Sequence, residues 1–136
     1  MFKTILVPID IGNADNSNHI IDIAATNGVD DARIILLNVV EDIPKWVAVE
    51  MPDGFQEKSY NESKKQLEAI ANASAVKPEA DVRIGHPYQT ILDTVKEVNA
   101  DLIVIASHQP GLQDYLLGST AAKVVRHAKC SVLVVR

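Results

Sequence analysis

At 136 residues the chain has room for one domain, taken here as 1–136, and its 47% hydrophobic content with few aromatics makes Ile, Val, Leu and Ala the core formers. A formal charge of −5 works against the concentrated basic face that long nucleic acid needs, yet leaves a mononucleotide open, because backbone N–H groups and a divalent cation can hold its phosphates. No apolar run nears the ~18 residues of a membrane span, no secretory leader precedes the first apolar run, and Cys130 stands alone, so the expectation is a cytoplasmic, disulfide-free domain with no membrane partner.

The first apolar run, Ile5-Leu6-Val7-Pro8-Ile9, is continuous rather than alternating and ends in Asp10. Such runs suit strands covered on both faces, as in a parallel sheet between helix layers. Ile20, Ile23 and Ala24 then fall on one helical face, and Ile34-Leu37 forms the second strand. The stretch from Ile43 to Phe55 follows, with Pro44, Trp46, Pro52 and Gly54. It is long for a strand-to-helix connection and reads as a lid, an oligomer contact or a mobile excursion, with Trp46 as a packing anchor.

Helical spacing returns at Leu67, Ile70, Ala71 and Ser74. Asp81-Val82-Arg83-Ile84 alternates polar and apolar, the mark of a half-solvated edge strand. A third helical face carries Ile91, Thr94, Val95 and Val98, ahead of the fourth continuous run, Leu102 to Ala106. The last helical face holds Ala121, Val124, Val125 and Ala128, and Val132 to Val135 closes the alternation as a strand. Strands alternating with helices in this way predict a doubly wound α/β fold with a parallel sheet and helices on both faces.

In such sheets ligands bind beyond the carboxyl ends of the strands. Pro8, Ile9 and Asp10 put a carboxylate at one strand end, and Ala106-Ser107-His108-Gln109 opens a turn-rich loop at another. That loop runs to Gly118-Ser119-Thr120, a helix start with Ser119 as its N-cap, whose free N–H groups and positive dipole end suit a phosphate.

With these residues in place the chain resembles the universal stress protein family. The family pattern is a first strand ending in an acid and a late G-x2-G-x9-G-[S/T] loop, with a C-terminal run much like Val125 to Val135. Leu37-Asn38-Val39 and Gly85-His86-Pro87 belong to the same likeness, which covers the whole chain. The resemblance implies a five-stranded sheet in order 3-2-1-4-5, with the site between the first and fourth strands. It implies Asp10 near a ribose, the main chain of Val39 at an adenine edge, and Ala106, Gly118, Ser119 and Thr120 along the phosphates of ATP, with Mg2+ or Mn2+. This sequence departs from the pattern at the first two glycines, where it has Ala106 and Gln109, and its loop to Gly118 is one residue shorter.

The last strand is apolar and falls at an edge in that order, so pairing of Val132, Leu133, Val134 and Val135 with a second copy is expected, as the resemblance also implies. No Walker lysine and no catalytic pair accompany Asp10, so the expectation is a nucleotide-binding regulatory protein with little or no turnover. The loop Asp10-Ile11-Gly12-Asn13-Ala14-Asp15 also lacks the Ser-Gly-Gly-x-Asp-Ser pattern of adenylate transfer. The alternative is a dimeric adaptor in which Ala106 and Gln109 mark a lost nucleotide site.

Overall fold

The continuous apolar runs all become strands of one sheet. The computed structural model describes residues 1–107 and 117–136, apart from the side chains of Asn13 and Ala14. Strands β1 (Phe2–Pro8), β2 (Gly28–Glu41), β3 (Glu79–Gly85), β4 (Leu102–Ala106) and β5 (Ser131–Val135) form a five-stranded parallel sheet in the order β3-β2-β1-β4-β5. The helices are α1 (Ser17–Asn27), α2 (Lys45–Ala48), α3 (Phe55–Ala73), α4 (Pro87–Val98) and α5 (Ser119–His127), with a 3-10 turn over Ile11–Asn16. Among them no helix is long and apolar enough to cross a membrane.

Successive side chains of a strand point to opposite faces, and the two core clusters follow that alternation. Ile5, Val7, Ile34, Leu36, Leu102 and Val104 face Ile20, Ile21 and Ala24 of α1 and Leu67 and Ala71 of α3. Leu6, Ile35, Leu37, Ile103 and Ile105 face Ile91 of α4 and Ala121 and Val124 of α5. A continuous apolar run is therefore needed, because each face of the sheet has its own helix layer.

The chain reverses order at β1, where β2 leads one way and β4 the other. The start of that seam is held by Asp101, whose carboxylate accepts the amide N–H groups of Lys3 (3.0 Å) and Thr4 (2.9 Å). Burial works against the charge of Asp101, but these backbone donors outweigh it and hold its pKa below the usual value. The Asp101 amide returns a bond to Thr4 O at 2.9 Å.

Five sequence expectations need correction. β2 begins at Gly28 rather than Ile34, and its pairing with β1 jumps from Phe2↔Gly28 to Thr4↔Arg33, an irregularity that absorbs the polar Asp30 and Asp31 outside the core. The 43–55 stretch is not wholly irregular, since Lys45–Ala48 is a helical turn, and Trp46 is 78% exposed rather than a packing anchor. Val125 is exposed, so the buried stripe of α5 is Ala121 and Val124. Gly118 is the N-cap of α5 and Ser119 its first helical residue.

Candidate functional site

The geometry of the site starts from strand ends that are tied to one another. The Ile9 amide donates to Leu37 O at 2.8 Å, extending the β1–β2 ladder past Pro8. Asn38, 8% exposed, donates its Nδ2–H to Ile9 O at 2.8 Å. A buried amide side chain without a partner would cost about 1–3 kcal/mol, so this bond fixes where β1 turns out of the sheet. Asp10 follows at once, exposed, with one carboxylate oxygen accepting the Gly12 amide at 3.0 Å in a local turn.

On the β4 side Ser107 is buried and acts as a backbone clasp. Its N–H donates to Val135 O at 2.8 Å, and its carbonyl accepts the Gly118 N–H at 2.7 Å. Gly118 has extended backbone at φ −59°, so its dihedrals do not demand glycine. The Gly118 carbonyl takes the first intrahelical bond of α5, from the Ala122 amide at 2.9 Å. The amides of Ser119, Thr120 and Ala121 are thus the first-turn donors that a helix leaves without an internal acceptor, at the positive end of its dipole. Gly118, as the N-cap, has no side chain to cap them.

These two constructions face each other across a cleft of about 330 Å3. Pro8, Ile9, Asp10, Val39, Ala106, Gly118, Ser119 and Thr120 all line it. Of the remaining candidates, Ser107 is not in the lining, and His108 and Gln109 lie outside the described residues. The floor is apolar, from Leu37, Ile91 and Ile105, and Asp10 and Glu41 bring carboxylates to the wall. An apolar floor with a few converging polar groups is the usual make-up of a small-molecule site.

Asn38, Glu41, Pro87 and Ile91 also line the cleft, although the sequence reading did not name them as site residues. Asn38 carries a signal after the fact, being a buried polar residue inside the apolar Ile34–Val40 run. Pro87 opens α4, which reaches the cleft because Gly85 and the start of α4 approach closely. A Cβ on Gly85 would stand 2.5 Å from Thr90 Oγ1, so a larger residue there would force the Thr90 side chain to shift.

A smaller cavity of about 200 Å3 lies on the α1 side and shares Pro8, Ile9, Asp10 and Ala106 with the cleft. Asp15, Ser17, His19 and Arg136 line its other walls. The end of β1 is thus a ridge between two hollows. Cys130 is remote from the ridge, and burial pushes its thiol pKa up, which suits an inert packing residue.

The sequence profile described as the universal stress protein family matches residues 1–136. Universal stress protein G of Escherichia coli O157:H7 is 30% identical over 145 aligned positions, covering 100% of both chains. Among solved structures, hypothetical protein MJ0577 superposes with a TM-score of 0.81 at 26% identity, covering 99% of this chain and 96% of the other. A universal stress protein in complex with cAMP gives a TM-score of 0.66 at 22% identity over 99% and 97% of the two chains, a likeness of fold.

Proposed function

The chain belongs to the universal stress protein family, a family of stress-response proteins, and from that premise we propose that it binds an adenine nucleotide, ATP with Mg2+ or Mn2+, as a regulatory ligand with little or no turnover. The observation that carries the reading is the juxtaposition of Asp10 and the α5 first turn across one cleft. A carboxylate accepts ribose hydroxyls, while Ser119 and Thr120 offer amide and hydroxyl donors to phosphate at a helix start. The Val39 main chain, at the far wall, is where an adenine edge would be read. The structural neighbour in complex with cAMP has an adenine nucleotide on the same fold.

The donor chemistry suits a hard cation. Asp10, Glu41 and the Ser119 and Thr120 hydroxyls supply oxygens, the ligand type that Mg2+ and Mn2+ prefer. Among the described residues no group of three or more His, Cys, Asp or Glu is placed to hold a metal, so the phosphates would carry most of the coordination. The cation would screen phosphate charge beside the two carboxylates.

Among the described residues β5 pairs only with β4, so no described strand lies on its other edge, and its side chains alternate between the two cores. Homodimerisation along this edge is part of the proposal, in the cytoplasm.

Calorimetric titration with ATP and MgCl2 tests the nucleotide reading. Asp10→Ala is expected to weaken binding by about 1–2 kcal/mol, roughly 5- to 30-fold. Asp10→Asn, which keeps an acceptor for the Gly12 amide, is expected to weaken it as well. No heat of binding, together with no nucleotide released from the denatured purified protein, overturns the reading in favour of a nucleotide-free adaptor.

A further inference from the structure

The excursion between β2 and α3 does not serve the core. No residue of 43–55 belongs to either core cluster. Three of the exposed large apolar side chains fall within it, in a span of ten residues: Trp46 at 78%, Val49 at 85% and Phe55 at 39%. Single exposed apolar residues are ordinary, but a tryptophan and a valine at i and i+3 of one helical turn share a face. The turn is a built platform. The Val47 and Ala48 amides donate to Pro44 O at 2.9 Å, the Val49 amide to Lys45 O at 3.3 Å, and the Glu50 amide to Val47 O at 3.0 Å. At its base Gln56 Nε2 donates to Glu41 O at 3.3 Å.

Charge says what fits there. Across 41–57 the sequence carries five exposed carboxylates, Glu41, Asp42, Glu50, Asp53 and Glu57, against one ammonium, Lys45, with Lys58 next in the chain. An apolar patch with a rim of one sign selects a partner of the opposite sign and rejects anionic surfaces. Trp is also the residue type most enriched among side chains that dominate binding energy. The platform lies away from the proposed dimer edge, since β2 is three strands from β5, about 14 Å at the usual strand spacing.

We propose that residues 43–55 are a docking surface for a basic amphipathic segment of a protein partner, whose apolar face covers Trp46 and Val49 while its Lys and Arg heads meet the acidic rim. Trp46 is the only tryptophan, so its emission reports directly on the patch. The probe is an amphipathic helical peptide of Leu and Lys, with a Leu and Glu twin as control, titrated into the full chain without nucleotide. The Lys peptide is expected to shift Trp46 emission to the blue, and the Glu twin to leave it unchanged. Val49→Ser is expected to weaken peptide affinity about tenfold, the scale of one lost apolar side chain, with an unchanged circular dichroism spectrum. Glu50→Gln with Asp53→Asn is expected to weaken it further and to flatten its salt dependence.

Equal binding of the Glu twin, or Lys-peptide affinity indifferent to Val49→Ser, overturns the proposal. So does a blue shift produced by raising protein concentration alone, which would assign the patch to a second copy. A shift produced by phosphatidylcholine vesicles would assign it to a membrane and equally overturn it. Each of these outcomes is independent of ATP titration, so failure here leaves the nucleotide reading standing.

Discussion

The two edges of the sheet are built on opposite principles. β3 is clipped by ions. Arg33 of the neighbouring strand makes a bidentate pair with Glu79 at 2.7 and 2.9 Å, and Arg83 bridges Asp81 at 3.1 Å and Glu97 at 2.5 Å. β5 carries Val132, Leu133, Val134 and Val135, all half-buried, and no ion pair among the described residues. Charge is the common device for keeping an edge strand from pairing with another chain, and an apolar edge lacks that protection. The difference teaches that one edge is closed by charge within the monomer, while the other is the apolar edge on which the proposed pairing of two copies rests.

The sharpest way to break the contrast is to give β5 the chemistry of β3. Val132→Lys is expected to weaken the proposed dimer by about 2–3 kcal/mol, roughly a hundredfold, because a two-fold interface would set like charges close together. Sedimentation equilibrium reads the change, and a wild-type chain that is monomeric at all concentrations would refute the completion of β5. Between the edges lies the seam, where Asn38→Ala is expected to cost about 1–2 kcal/mol of stability by leaving Ile9 O without its donor. Denaturant unfolding measures it, and nucleotide affinity should fall together with the seam.

Smaller effects belong to β3. Arg83→Ala removes two pairs whose acids are partly exposed, so no more than about 1 kcal/mol is expected in thermal unfolding, and less in high salt. The smallest is a pH effect. The Arg33 guanidinium, by hydrogen bonding to Glu79, holds that carboxyl below its usual value. A depressed carboxylate contributes stability above its unfolded pKa of roughly 4.3 and loses it as pH falls through the folded value. The gap between wild type and Arg33→Ala is therefore expected to be below about 0.5 kcal/mol at neutral pH and to close between about pH 5 and pH 3. A gap that widens in acid would contradict that sign.

Much of this was legible in the residues. The four continuous runs named four strands, and Asp81 to Ile84 named the edge, because a covered strand and a half-solvated one differ in period. Asp10 and Gly118-Ser119 named the two walls of the cleft, because strand ends and helix starts are where polar groups stay unsatisfied. The role of Asn38 stayed hidden inside an apolar run, since it depends on Ile9 O, which is 29 positions away in sequence. The early start of β2 was masked by Asp30 and Asp31, acids that disfavour a strand reading but sit outside the core. Trp46 misled for a related reason: tryptophan is buried on average, and only three-dimensional placement reveals one held out on a platform.

The central claim is that a carboxylate and a helix's first-turn amides hold one nucleotide between them. It is tested most directly by amide nuclear magnetic resonance of the 15N-labelled chain titrated with Mg-ATP. The account predicts that the Asp10, Val39, Ser119 and Thr120 amides shift most, in one saturable process, while those of residues 45–55 stay in place. Shifts that spare Asp10 and Ser119, or a spectrum that ATP leaves untouched, would contradict it.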